Sequence, residues 1–269
     1  MKKSQLAIAL LATLSTTIAS ADTGTVIKFN SSTPGAPNQL SILNGSVLIP
    51  SADNGRIIMD TNKNIMLMVN DPQKKYMEMD SKTIEQSSAI MEQMQEQMAA
   101  QLKSLPEAQR KAIEERMGLN QAKPAVPKVE VKITGNKRKV SGIECEEQQV
   151  LTDGQASMSA CVATPKAAGI NEADYNTMKK MFKFSKSMAQ KSGGIGGGLA
   201  ANVPDLNGIP MEVKELESGN TLTITSIESA DLDSKNFAPD PSYQRFDPLQ
   251  QMQQQMQTLD SGASAPASK

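Results

Sequence analysis

Ile143–Ala163 reads IECEEQQVLTDGQASMSACVA and holds the only two cysteines of the chain, Cys145 and Cys161. Two strand-like runs, Ile143–Leu151 and Gln155–Ala163, flank Thr152-Asp153-Gly154. An Asp-Gly between alternating runs is a strong hairpin signal. Two registers compete. A two-residue Asp-Gly turn pairs Thr152 with Gln155 and puts the cysteines on opposite faces. A three-residue loop with Gly154 in the left-handed conformation pairs Leu151 with Gln155 and sets Cys145 directly opposite Cys161. The separation across such a pair, ~4.5–5.5 Å between Cα atoms, suits a disulfide. The second register is preferred here, and it predicts a Cys145–Cys161 bridge.

Working outward, the N-terminus reads as a secretory signal peptide over residues 1–21. Met1-Lys2-Lys3 is a basic start, Leu6–Leu14 an apolar run, and Ala19-Ser20-Ala21 a small-residue cleavage site. The run is too short and too interrupted by Ser and Thr to span a bilayer, and no later stretch approaches the ~20 apolar residues a membrane helix needs. No cysteine stands at the cleavage point, so lipidation is not expected. The expectation is an exported, periplasmic, soluble protein, and an oxidising compartment favours a bridged cysteine pair over free thiols.

Lys and Arg number 28 and Asp and Glu 29, and removal of Lys2 and Lys3 makes the balance more acidic. That argues against a nucleic-acid partner, which needs a basic surface. Aromatic residues are 3% of the chain and Trp is absent, so the core must come from Ile, Leu, Val and the 17 Met. The chain has no His. This excludes a histidine general base, a Ser-His-Asp triad and any His-ligated zinc or copper site.

In chain order, Thr25–Asn30, Gln39–Leu43, Ser46–Ile49, Arg56–Asp60, Ile65–Asn70 and Lys75–Asp80 are short runs separated by Asn, Asp, Gly and Pro clusters. This is the pattern of an antiparallel meander. In Lys75–Asp80, Met77 and Met79 share one face and Tyr76 and Glu78 the other, so one face is apolar and needs a cover. A helical insertion over about 81–119 supplies it. Ile84, Met91, Met94, Met98 and Leu102 fall at helical spacing. Ser104-Leu105-Pro106-Glu107 is a capping box that opens a second helix ending at Gly118. Val129–Ile133, a turn at Gly135-Asn136 and Lys137–Val140 lead into the cysteine hairpin. Asn171, with Asp174 three residues on, caps a third helix that ends near Lys191. Its apolar face carries Tyr175, Met178, Met181, Phe182 and Met188, with Lys179, Lys180, Lys183 and Lys186 opposite. Ser192–Gly198 reads as a flexible connector in preference to a hinge. Gly208–Leu216 and Asn220–Ile227 form a last hairpin around Ser218-Gly219, and Phe237–Phe246 closes the domain. Residues 247–269 form a Gln/Met-rich, mostly disordered tail. The pattern is α+β in one domain over 22–246, with helices gathered on one face of an antiparallel sheet.

Together the segments "KKYMEMD", "ITGNKRKVSGIECEEQQV", "CVATPKAAGI", "NGIPMEV" and "FAPDPSY" resemble an uncharacterised domain-of-unknown-function family of exported bacterial proteins with a LolA/LolB-like fold. The resemblance runs from about Thr25 to Phe246. It is tightest at Gly142-Ile143-Glu144-Cys145 and Gly208-Ile209-Pro210. It implies a strongly curved antiparallel sheet, an open half-barrel, with helices in the concave face. In the lipoprotein carriers of that fold the concavity holds acyl chains. This chain departs from the carriers in its Gly-rich loop, its Gln/Met-rich tail and the cysteine hairpin.

Two motifs invite metal readings. Met66-x-Met68 and Met77-x-Met79 put thioethers on single strand faces, and Met91, Met94 and Met98 form a helix stripe. Thioethers are soft ligands for Cu(I), but in a chain poor in aromatics Met also fills an irregular core. Core or hydrophobic-ligand lining is the preferred reading. Asp60-x-Asn62-x-Asn64 resembles the start of a calcium loop, but Ile65 replaces the required Gly and Asp71 the closing Glu, so a hairpin turn explains it better. Glu144, Glu146 and Glu147 read as solvated, not as an acid/base pair. The lysine side of the third helix reads as a solvated face in preference to one that meets anionic headgroups.

The leading expectation is therefore a non-enzymatic, cofactor-free binding protein. Its ligand is a lipid or acyl chain, or an apolar segment of an envelope protein, lined by Met91, Met94, Met98, Met178, Met181 and Phe182. The alternatives are Met-based Cu(I) handling and, more weakly, a hydrolase using Ser or carboxylates alone.

Overall fold

The first strand of the chain pairs with the last long one. β1 (Asp22–Ser31) runs antiparallel to β11 (Thr221–Leu232) from Asp22↔Leu232 to Ser31↔Leu222, with one irregularity at Lys28/Phe29. The computed structural model describes residues 22–103, 106, 107, 109, 110, 128–191, 206–248 and 250. The proposed signal peptide, the Gly-rich loop and nearly all of the tail lie outside them. Among the described residues two meanders meet at the β1–β11 seam. One runs outward through β2 (Gln39–Leu43), β3 (Ser46–Pro50), β4 (Arg56–Asp60), β5 (Ile65–Asn70) and β6 (Lys75–Met79). The other runs from β11 through β10 (Ile209–Glu215), β9 (Gln155–Ala163) and β8 (Ile143–Thr152) to β7 (Val129–Val140). A two-residue strand, β12 (Gln244–Arg245), adds to β6 in parallel. The twelve strands thus form one open mixed sheet, where the sequence reading expected a purely antiparallel one.

The strand bounds follow from turn chemistry. Asn44, Asn54, Asn64, Lys74 and Asp153 all have positive φ. Asn and Asp tolerate this conformation better than other residues with a side chain. At the calcium-like motif, Asp60 Oδ1 accepts the N–H groups of Asn62 at 3.0 Å and Lys63 at 3.1 Å, which is an Asx turn.

The cysteine hairpin differs from its predicted register. Asp153 and Gly154 both take positive φ, 52° and 82°, and Thr152 pairs with Gln155. This is the two-residue turn whose twist matches the flanking strands. The parity it would impose is then reversed by a bulge. Leu151 faces Ala156 and Val150 faces Met158, so Ser157 is the extra residue. Ser157 is tied down by its hydroxyl, 2.8 Å from that of Thr152 and 3.3 Å from the Val150 carbonyl. Glu147, not Cys145, stands opposite Cys161. Cys145 lies two residues further along on the same face and bridges Cys161 diagonally, at 5.3 Å between Cα atoms. A second correction concerns β7. Gly135-Asn136 is no hairpin turn but a bulge in one continuous strand, between Ile133↔Gln148 and Lys137↔Glu146.

The sheet curls. β7 and β11 are four strands apart, ~19 Å on a flat sheet. Yet at the Ser141-Gly142 turn between β7 and β8, the Ser141 hydroxyl donates to the Ile224 carbonyl of β11 at 2.6 Å. The curl is toward the face that carries α2 (Glu172–Lys191). There Val140, Cys145, Cys161, Met211 and Ile224 share one core with Met178 and Met181. The other helix, α1 (Ser81–Lys103), starts directly after β6 and contacts both that strand and α2. Of the predicted second helix only Pro106, Glu107, Gln109 and Arg110 are described. Asp80 caps α1, accepting the Thr83 N–H at 2.6 Å. Hydrogen bonds from the Thr83 side chain and backbone hold its carboxyl below the ordinary value of 3.8. A depressed carboxylate adds stability that is present above that value and lost as pH falls through the lower folded one.

The far face of the first meander is sealed by the closing segment. Tyr243 packs with Leu48, Ile65 and Tyr76 over Ile58, Leu67 and Val69. Its hydroxyl donates to Asp71 at 3.0 Å, and Arg56 pairs with the same carboxylate at 2.6 Å.

The bridge spans 16 residues of chain, so closing that loop is worth about 3 kcal/mol. The double variant Cys145→Ala/Cys161→Ala should lose about that much in urea denaturation, and thiol labelling of the unreduced wild type should find no free cysteine. Unchanged stability, or two reactive thiols, contradicts the bridge.

Candidate functional site

The residues with chemical promise gather along α2. The helix begins where the sequence predicts. Asn171 Oδ1 accepts the Asp174 N–H at 2.9 Å, and the Tyr175 N–H reaches the Asn171 carbonyl at 3.0 Å. This satisfies donors that a helix start otherwise leaves free. The Asp174 carboxylate is itself buried. It accepts from Asn171 Nδ2 at 2.8 Å and from Thr25 Oγ1 of β1 at 2.6 Å. A buried carboxylate held by two donors fixes the helix start over the central strand, and Glu172 and Asp174 in the first turn complement the helix dipole.

From that anchor the side chains divide by position. Met178 and Met181 turn into the core beneath the helix. Tyr175, Phe182 and Phe184 pack half-buried at its edges. Between the helix and the segment leading into β10 lies a groove of about 200 Å³, lined by Tyr175, Met178, Lys179, Phe182, Lys183, Lys186, Leu206, Gly208, Ile209 and Pro210. Its far wall approaches closely because residue 208 is glycine. A Cβ there would sit 2.5 Å from the Ala163 carbonyl oxygen and 2.6 Å from Val162 Cγ1. Past Tyr175 and Lys179 a more open depression of about 500 Å³ continues over Thr164, Pro165, Lys166 and Ile170.

The groove has two chemical halves. Met178, Phe182, Leu206, Ile209 and Pro210 make an apolar wall. Lys179, Lys183 and Lys186 follow one helix stripe along the rim, and among the described residues none of them has an acidic partner. Lys179 Nζ lies 4.7 Å from the centre of the Tyr175 ring, a cation–π distance that leaves its charge uncompensated. The sequence reading put these lysines opposite the apolar face. The helix wraps far enough for three of them to border the same groove as Tyr175 and Phe182.

Of the predicted lining residues, Met178 and Phe182 border the groove, while Met181 lies in the packed core beneath it. Met91, Met94 and Met98 lie on α1, and their side chains fall outside the described residues. The wall from Leu206 to Pro210 was missed as a site element. Its only sequence signal was Gly208-Ile209-Pro210, read as a strand start. Glu147, read as solvated, keeps 39% of its side chain exposed and pairs with Arg138 at 3.2 Å, and Arg138 reaches Glu212 at 2.6 Å. Among the described residues no cluster of three or more His, Cys, Asp or Glu is placed to hold a metal ion. No described helix is long and apolar enough to cross a membrane. Comparison of the chain with protein-family models and with curated proteins returns no match.

Packing separates two neighbours on α2. Met181→Ala should cost ~2–5 kcal/mol, the range for truncating a buried side chain. Phe182→Ala, on the groove edge, should cost less than about 2 kcal/mol because part of its surface is already in water. Urea denaturation of both variants checks this, and equal losses would mean that the groove is closed core.

Proposed function

We infer that this is a non-enzymatic binding protein of the bacterial envelope, exported to the periplasm, and that its ligand is a single-chain anionic amphiphile such as a fatty acid. The carrying observation is the juxtaposition along α2 of an apolar wall with three lysines that have no acidic partner among the described residues. The acyl chain lies against Met178, Phe182, Ile209 and Pro210, and the acidic head meets Lys179, Lys183 or Lys186. The groove is smaller than the ~300–1,000 Å³ of typical small-molecule pockets. It therefore takes part of one chain, and the adjoining depression past Tyr175 takes more. An open sheet that curls toward its helices fits the LolA/LolB-like resemblance, whose carriers hold acyl chains on that side. Met is suited to such a wall because its unbranched, polarizable side chain adapts to a flexible ligand.

An environment-sensitive fluorescent fatty acid tests the reading. Wild type should bind it and release it on addition of unlabelled fatty acid. Reversing the rim charges together (Lys179→Glu, Lys183→Glu, Lys186→Glu) should weaken binding about tenfold or more, since each exposed ion pair is worth up to ~1 kcal/mol. High salt should reduce the difference. Absence of binding by wild type rules the ligand class out. Equal binding by the reversed variant places the ligand elsewhere.

A further inference from the structure

The inner face of the first meander changes composition toward its edge. One row across the strands runs Ile42↔Val47↔Met59↔Met66↔Met79, and the next runs Ile49↔Ile57↔Met68↔Met77. Where the rows cross β5 and β6, all four positions are Met. Strand positions favour β-branched residues, and the same rows use Ile and Val in β2 and β3. The methionine block is also the more open side of these strands. Leu67 and Val69 on the opposite face are 7% and 4% exposed, whereas Met68 is 41% exposed and Met66, Met77 and Met79 are only partly buried.

Pairing sets the block's dimensions. Directly opposed Cβ atoms lie ~4.5–5.5 Å apart, and residues two apart on a strand lie ~7 Å apart. Four side chains at the corners of such a rectangle, each with its sulfur two bonds beyond Cβ, reach a common point above its centre. Met59, next in the row, stands behind Met66. Neutral thioethers are soft donors that select Cu(I) and its analogue Ag(I) over harder ions. No imidazole or thiolate competes for the ion, since His is absent and both cysteines are bridged.

We propose that Met66, Met68, Met77 and Met79 form a thioether site for Cu(I), reached from solvent past Met68 and separate from the α2 groove. The site is specific to the reduced ion. It holds neither Zn²⁺ nor Cu²⁺, which require the nitrogen, oxygen or thiolate donors that the block lacks.

The test titrates Cu(I), kept reduced with ascorbate under anaerobic conditions, into the full chain in competition with a chromogenic Cu(I) chelator. Wild type should withdraw one equivalent. Met66→Leu/Met79→Leu and Met68→Leu/Met77→Leu, which keep side-chain volume, should each lower the affinity at least a hundredfold. Met158→Leu, in a separate apolar cluster on the far side of β9, should leave it unchanged. No withdrawal by wild type, or equal affinity in all the variants, overturns the site. A second measurement stands even where a double variant misfolds. In wild type labelled at the methionine methyl carbons, Ag(I) should shift the resonances of Met66, Met68, Met77 and Met79. Shifts in none of these, or only in methionines elsewhere in the chain, overturn the proposal.

Discussion

Everything in this sheet hangs on the pairing of β1 with β11. The two strands lie nearly 200 residues apart in sequence yet exchange partners along the whole of β1, so that Ile27 faces Ile227. The other neighbours among the long strands are consecutive in sequence and lie within one half of the chain, joined by short connections except for β9 and β10, between which α2 intervenes. The seam alone makes the two meanders one sheet. It leaves the chain with an edge at β7 and another at β6, the latter covered by the short parallel strand β12. Non-local pairing carries the loop-closure cost of the intervening chain. The seam therefore has to be held by burial. Ile27, Phe29 and Ile224 sit on it and are all buried in the main core.

The groove inherits its geometry from that seam. α2 is placed at its start by the Asp174–Thr25 hydrogen bond to β1 and beneath by Met178 and Met181, which belong to the same buried core as the disulfide, Met211 and Ile224. The curl that brings Ser141 to Ile224 draws the β7–β8 corner into the same core. With both its start and its underside fixed, the helix presents Tyr175, Phe182 and the lysine stripe to the β10 approach. The same anchoring that stabilises the fold exposes the chemically mixed edge.

Local chemistry made much of this legible in advance. Asn and Asp at turn positions bounded β2, β4 and β5 where the structure bounds them, and the Asn171/Asp174 cap marked the start of α2. What the sequence could not show was whatever depends on two distant segments meeting. Strand order is one case, because nothing in Thr25–Asn30 says that its partner is Thr221–Leu232. The cysteine hairpin is another. Asp153-Gly154 serves both competing turns, and the bulge at Ser157 that reconciles a two-residue turn with same-face cysteines has no signature beyond a serine in an alternating run. In the groove, Met178 and Phe182 were readable from helical spacing. The wall from Leu206 to Pro210 was not, since it reaches the helix only through β9–β10 pairing and the missing side chain at Gly208. The methionine block was half visible. Each strand's pair was readable from alternation, but their alignment in rows came only with the register.

The central claim is that the α2 groove holds a single-chain anionic amphiphile. Native mass spectrometry of the protein, purified without detergent and then incubated with oleate, tests it most directly. The account predicts a 1:1 adduct that survives gentle desolvation, is displaced by a competing fatty acid, and is lost when Phe182 is replaced by Asp. A bare polypeptide mass even under excess oleate would contradict it.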